Sequence, residues 1–196
     1  MEFTYAYGAT PLDPNELYGI IPSHLTLQSQ LNEWEQANII DAELWLGKQK
    51  LHEPQKILSP TFILRLHKRM FDRTWRWAGQ FRKSNKNIGI EWAEISSHLQ
   101  LLLDDVSFQI HNASYKVDEI VTRFHHRLVS IHPFSNGNGR HARLASDALL
   151  LSLKSPRFSW GKNSLLENNQ TRKNYIHALR TADKGDYNLL LKFVRT

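Results

Sequence analysis

Residues 132–143 read HPFSNGNGRHAR. A connection between two helices needs one glycine at most. Here Gly137 and Gly139 flank Asn138, and Arg140 and Arg143 follow three residues apart. Glycines let the backbone turn with positive φ and let a ligand come close. N–H groups at a helix start point outward and favour an anion, and successive ones in a turn make an anion-binding nest. The helix dipole disfavours cations in a first turn by ~0.3–1 kcal/mol each, so two arginines on one face there make sense when a strong anion occupies the site. The planar guanidinium suits phosphate, and a polyphosphate is the natural candidate. The plainer alternative pairs Arg143 with Asp147 one turn on and leaves Arg140 solvated. His132 ends the preceding helical pattern facing the loop, and an imidazole titrates near neutral pH.

Working outward, the pattern on both sides is helical. Upstream, Ile120, Val121, Phe124, Leu128 and Ile131 lie on one face of a helix that Asp118 is expected to cap and His132-Pro133 to end. Downstream, a helix starts near Gly139 and runs through Leu144, Leu149 and Leu153. Residues 27–46 read as a helix with Leu27, Leu31, Trp34, Leu44 and Trp45 on its apolar positions. Ser59-Pro60 is a cap followed by proline in the first turn, with Phe62, Ile63, Leu66 and Met70 as the stripe. SHLQLLLDDVSFQIHN (97–112) is helical again. Ser164 could cap a short helix. Residues 171–183 make another, stopped at Lys184-Gly185, and Asp186 caps the last, through Tyr187, Leu190 and Phe193. The one predicted hairpin pairs Phe81–Ser84 with Ile88–Trp92 around Asn85-Lys86-Asn87. Residues 1–26 hold Pro11, Pro14 and Pro22 and read as an extended arm. Residues 27–196 read as a single, mostly α domain.

Composition narrows the classes. The 196 residues carry six Trp, nine Phe and six Tyr, which supports a packed globule. The absence of Cys excludes disulfides and thiolate zinc sites. His125, His126, His132 and His141 lack the HExxH or acid-containing spacing of a zinc hydrolase. No apolar run approaches the ~18 residues of a membrane span, and the N-terminus has no basic signal-peptide region. These features predict a soluble cytoplasmic protein with no membrane partner. The net charge of +6 is compatible with nucleic acid, nucleotide or acidic protein partners. No dense Lys/Arg stripe or helix-turn-helix signature supports direct DNA binding.

HPFSNGNGRHAR closely resembles the Fic (filamentation induced by cyclic AMP) motif, HPFx(D/E)GNGRxxR, and Asn136 is the one departure. WRWAGQFR (75–82) is similar to the segment leading into the Fic flap, and YIHALRTADKGDYNLLLKF (175–193) to the C-terminal helices. The whole chain, including PLDPNELYGIIPSHLTLQSQLNEWEQANI, is similar to the mobile mystery protein B group of Fic proteins. The resemblance implies an all-α Fic-type helical bundle with one short β-hairpin flap. It also implies transfer of AMP from ATP to a Ser, Thr or Tyr hydroxyl of a target protein. By motif position, His132 is the general base, and Phe134 anchors the loop. Gly137, Asn138 and Gly139 cradle the phosphates, Arg140 contacts phosphate, and Arg143 holds the γ-phosphate. Tyr175 either stacks near the adenine or belongs to the core. The flap, with Lys83, Ser84, Asn85, Lys86, Asn87 and Ile88, docks a target segment by strand addition. Further partners implied are an antitoxin or helix-turn-helix protein of the same mobile element.

Asn136 stands where the family has a Mg²⁺-binding acid, and an amide oxygen ligates without charge. A catalytically weak Fic scaffold, or transfer of another nucleotide or phosphate group, is therefore the alternative function. Regulation is implied as well. Many Fic proteins carry an inhibitory helix with the pattern (S/T)xxxE(G/N). Ser29 and Glu33 fit it within residues 27–46, except that Trp34 replaces the small residue. Glu33 is then expected against Arg143; the alternative is that Glu33, like Glu35, is a solvated helix acid.

Overall fold

Cap chemistry fixes one helix start. Ser59 precedes Pro60, and its hydroxyl accepts from the backbone N–H of Phe62 at 3.2 Å, so a helix begins there as the sequence predicts. The structure is a computed structural model, which describes residues 14–25, 27–49, 53–162, 165 and 170–196. Its helices are α1 (Pro14–Leu17), α2 (Gln28–Gly47), α3 (Pro54–Ile57), α4 (Pro60–Phe71), α5 (Ile95–His111), α6 (Val117–Ile131), α7 (Asn138–Ser152), α8 (Gln170–Ala182) and α9 (Asn188–Val194). A single 3₁₀ turn, Trp92–Glu94, leads into α5. Ser164 lies outside the described residues.

Helix α7 is the central element. Ala142, Ala145, Ala148, Leu149 and Leu150 are fully buried on it, because α3, α4 and α6 pack around it. Helices α5 and α9 pack on α6, α2 packs on α4, and α8 packs on α9. The fold is all-α, as expected.

Four local expectations change. First, Asp118 does not cap α6. The cap position is Lys116, and Asp118 lies in the first turn with its carboxylate on Arg195. Second, residues 81–91 form no strand. The buried Arg82 guanidinium closes this segment instead, donating to the carbonyls of Ser84 (2.8 Å), Ile90 (2.5 Å) and His132 (2.7 Å). Asn85 adds bonds to Glu91 and to the N–H of Trp92. One side chain thus takes acceptors that a ladder would have used. Third, the described part of the N-terminal arm is partly helical. Its four-residue α1 is followed by an isolated antiparallel bridge, Ile20 to Trp75. Asp186 is likewise not the cap residue of α9, which is Tyr187; it lies one position earlier, and its carboxylate accepts from the N–H of Asn188 at the helix start.

Candidate active site around the α6–α7 loop

The loop between α6 and α7 is closed from within. The N–H of Phe134 donates to Asn138 Oδ1 at 2.9 Å, and Asn138 Nδ2 donates back to the Phe134 carbonyl at 2.8 Å. Asn138 is buried, so its side chain shapes the loop. Phe134 is fully buried and stacks on His67 with ring centroids 3.7 Å apart. His67 accepts from Gly79 N–H at Nδ1 and lies 3.1 Å through Nε2 from the Asn136 carbonyl. Burial holds the His67 pKa well below its usual value, so Nε2 is the donor of a neutral ring. Gly137 caps α7 with φ +77°, and a Cβ there would lie 2.5 Å from the Phe71 ring, so the position needs glycine twice over.

The first intrahelical bond at this end of α7 runs from His141 N–H to the Gly137 carbonyl at 2.9 Å. The N–H groups of Asn138, Gly139 and Arg140 precede it and open the helix as an anion site. Arg140 and Arg143 line a cavity of about 600 Å³ between α7, α2, residues 157–160 and Leu165, together with Asp147, Arg157 and Trp160. The polar partner of Arg143 is the Tyr175 hydroxyl, and burial pulls the guanidinium pKa down. Tyr175 passes the connection on to His125 Nε2 at 2.9 Å. A half-buried guanidinium whose partner is a neutral hydroxyl is poised for an anion. Asp147 does not serve Arg143 as an ion-pair partner. It binds Arg157, the N–H of Phe158 and Trp160 Nε1.

His132 follows α6 with φ +54° and is 6% exposed. Its carbonyl accepts from Arg82 Nε. Gly89 lies against it so closely that a Cβ there would be 2.7 Å from His132 Cβ. Burial, and then the nearby positive charge of Arg82, lower the imidazole pKa to about 4, with a smaller contribution from Lys86. The ring is therefore neutral and able to accept a proton at pH 7.

The remaining expected site residues are placed as follows. Tyr175 is 4% exposed, packed beside Phe193 and His125, and leaves no open ring face for a base to stack on. Lys83, Asn85, Asn87 and Ile88 are exposed on the 81–91 segment and Ser84 is half-buried, whereas the Lys86 side chain is buried against Glu16. Ser29 and Glu33 both face solvent on α2, so Glu33 does not reach Arg143. Glu35 is the buried acid of that helix, at 5% exposure. Its Oε2 accepts from Arg140 Nη1 at 2.8 Å, and its Oε1 accepts from Trp75 Nε1 at 2.6 Å. Glu35 and Arg82 are thus the two site residues that the sequence did not single out.

Asn136 Oδ1 is already engaged, by the N–H of Gly137 at 2.6 Å and by Arg140 at 3.4 Å. Among the described residues no three His, Cys, Asp or Glu side chains come together as a metal-holding group. The described side chains therefore offer no such cluster for the Mg²⁺ that the resemblance implies. No described helix is long and apolar enough to cross a membrane.

Residues 57–150 match the family model described as Fic/DOC family. The chain is 28% identical over 136 residues to the protein adenylyltransferase Fic of Drosophila virilis, and 29% to that of Drosophila ananassae. The match covers 67% of this chain but only 27% and 26% of those relatives, so the chain spans about a quarter of their length. Among solved structures, Fic-1 (residues 134–508) of C. elegans is similar with a TM-score of 0.68, at 22% identity over 92% of this chain and 52% of that one. The N-terminal Fic domain of a VirB-translocated Bep effector of Bartonella quintana reaches 0.71, at 14% identity over 89% and 84%. BepC of Bartonella tribocorum, solved with bound AMPPNP, reaches 0.66, at 15% identity over 93% and 97%.

Proposed function

We propose that this chain, which carries a Fic/DOC-family domain at residues 57–150, is a protein adenylyltransferase held back by an internal carboxylate. The observation that carries the reading is the neutral, buried His132 beside the anion-binding start of α7. The relatives' name, protein adenylyltransferase, and the AMPPNP in BepC support ATP as the nucleotide.

The chemistry follows from the groups present. The N–H groups of Asn138, Gly139 and Arg140 hold phosphate oxygens, and Arg143 takes the terminal phosphate. A hydroxyl of the target protein attacks the α-phosphorus. As the new O–P bond forms, the bond to pyrophosphate breaks, and His132 takes the hydroxyl proton. Phosphate oxygens near His132 raise its pKa from the low value imposed by burial, which brings the base toward neutrality when nucleotide is bound. Glu35 opposes this state, because its carboxylate occupies Arg140 and places negative charge where the phosphates belong. The target is a protein presented along residues 83–88.

His132→Ala is the test. It should reduce transfer ~10²–10⁴-fold while nucleotide binding and folding persist. Turnover equal to the parent would remove His132 from the chemistry.

A further inference from the structure

Helices α6, α7 and α8 bring one polar side chain each to the same point. His125 of α6 is fully buried, Tyr175 of α8 is 4% exposed, and Arg143 of α7 is half-buried at the wall of the cavity that Arg140 also lines. The Tyr175 hydroxyl lies 2.9 Å from His125 Nε2, and the same hydroxyl is the hydrogen-bond partner of the Arg143 guanidinium. Arg143 Cζ lies 5.8 Å from the centroid of the Tyr175 ring. The ring has little freedom to move. It packs on Phe193 of α9 at 5.5 Å and on His125 at 5.9 Å between centroids, and His125 packs in turn on Trp160 at 4.6 Å.

The protons give this chain of groups a direction. A guanidinium only donates, and a phenol has one proton. The Tyr175 oxygen accepts from Arg143, so its proton is left for His125 Nε2, which must accept. Burial, and then the charge of Arg143, lower the His125 pKa to about 3, so the ring is neutral and can offer that lone pair. Burial raises the Tyr175 pKa, so the phenol keeps its proton although Arg143 and Arg172 stand near it. Arg143 therefore donates to Tyr175, and Tyr175 to His125.

A competing partner for Arg143 lies on its own helix. Asp147, the one acid of α7, is a turn further on, lines the same cavity and acts on the guanidinium through its charge. Its oxygens already serve Arg157, the Phe158 N–H and Trp160 Nε1. An arginine side chain has many rotamers, so a fixed acceptor is needed to keep it on one of them. With no hydroxyl at position 175, Arg143 loses that acceptor, and the Asp147 carboxylate is left to draw it.

We propose that Tyr175 and His125 are positioning residues: the Tyr175 hydroxyl, oriented by His125, aims the Arg143 guanidinium at the terminal phosphate, so that the site selects a nucleoside triphosphate over a diphosphate. The inference rests on the reading of Arg143 as the group that takes the terminal phosphate of ATP.

The test measures binding of a non-hydrolysable ATP analogue and of ADP to the full chain by calorimetric titration. Tyr175→Phe keeps the ring and its packing. In that variant affinity for the analogue should fall roughly tenfold, the scale of one hydrogen bond to a charged group, while affinity for ADP changes by less than about twofold. His125→Leu should cause the same loss with Tyr175 in place, because the phenol proton has lost its acceptor. His125→Gln, which offers a carbonyl oxygen to that proton, should keep most of the parent preference. A cycle with Arg143→Ala separates aiming from stabilisation. Arg143→Ala should lower the ratio of triphosphate to diphosphate affinity by itself, and adding Tyr175→Phe should lower it no further. A Tyr175 that merely braces the fold would weaken both nucleotides together, with or without Arg143. A Tyr175→Phe protein that keeps the parent ratio while Arg143→Ala loses it would overturn the proposal alone. An Arg143→Ala protein that keeps the ratio would overturn the reading of Arg143 and the proposal with it. These are binding measurements, so they decide the matter even where no adenylyl transfer is seen.

Discussion

Replacing Glu35 by Gln should make the protein less stable and, at the same time, a better binder of ATP. The carboxylate makes two short contacts, to Arg140 at 2.8 Å and Trp75 at 2.6 Å, with side-chain exposures of 6% for Glu35 and 17% for Arg140. A glutamine keeps an acceptor for the indole N–H but turns an NH₂ group toward the guanidinium. Exposed ion pairs are worth up to ~1 kcal/mol, and breaking a fully buried one costs ~3–5 kcal/mol. This pair lies between the two limits, so a loss of about 2 kcal/mol is expected, which in a domain of this size lowers Tm by roughly 4–8 °C. The effect on nucleotide has the opposite sign. Two negative charges 4 Å apart repel by ~4 kcal/mol at the screening typical of a protein surface. If half or less of that acts on bound phosphate, removing it leaves about 1–2 kcal/mol, a gain of roughly 5–30-fold in affinity. Differential scanning calorimetry gives the first quantity, and calorimetric titration with a non-hydrolysable ATP analogue gives the second. Glu33→Gln, on the exposed face of α2, should change neither. A Glu35→Gln protein that melts lower but binds the analogue no better than the parent would refute the inhibitory reading and leave Glu35 as a structural brace.

Other substitutions test the loop. Gly137→Ala puts a methyl group into the Phe71 ring at a positive φ, so it should cost at least ~1–3 kcal/mol of stability by denaturant titration and weaken nucleotide binding with it. Asn136→Asp supplies the missing carboxylate beside Arg140, and nucleotide binding should become more dependent on Mg²⁺ when the metal is titrated. The buried histidines make a prediction about acid. Burial lowers the pKa of His125 to about 3 and those of His132 and His141 to about 4, against 6.5 for an open chain. The unfolded state therefore binds more protons between those values, so their contribution to stability is complete above pH ~6.5 and falls as pH drops toward ~4. Tm should decline across that window even at constant ionic strength.

The helices, their order and the loop were legible because apolar period and cap chemistry are local signals. Ser59-Pro60 set the start of α4, and His132-Pro133 the end of α6. Glu35 was not legible for a definite reason. The buried stripe of α2 runs Leu31, Glu35, Asn38, Ala42 and Leu46, a clean helical period that includes two polar residues. A stripe sought among apolar residues instead selects Trp34 and Leu44, which are exposed at 37% and 60%. Nothing local marks Glu35, because Arg140 and Trp75 meet it only after α2 docks. Arg82 is a similar case. Its alternating neighbours read as strand, but a buried guanidinium aimed at three carbonyls stabilises an irregular segment that no two-residue period describes. The loop glycines and arginines signalled themselves through residue type, whereas the role of Asn138 as an internal clasp depended on the path of the chain.

The central claim is that the neutral His132 and the α7 anion site transfer the adenylyl group of ATP to a protein hydroxyl. The most direct measurement incubates the Glu35→Gln protein with ATP labelled separately on the α- and γ-phosphates, in a host-cell lysate and alone, and follows label on protein. The account predicts protein-bound label from α-labelled ATP, none from γ-labelled ATP, and loss of the signal when His132→Ala is added. Label from the γ-position, or α-label that survives His132→Ala, would contradict it.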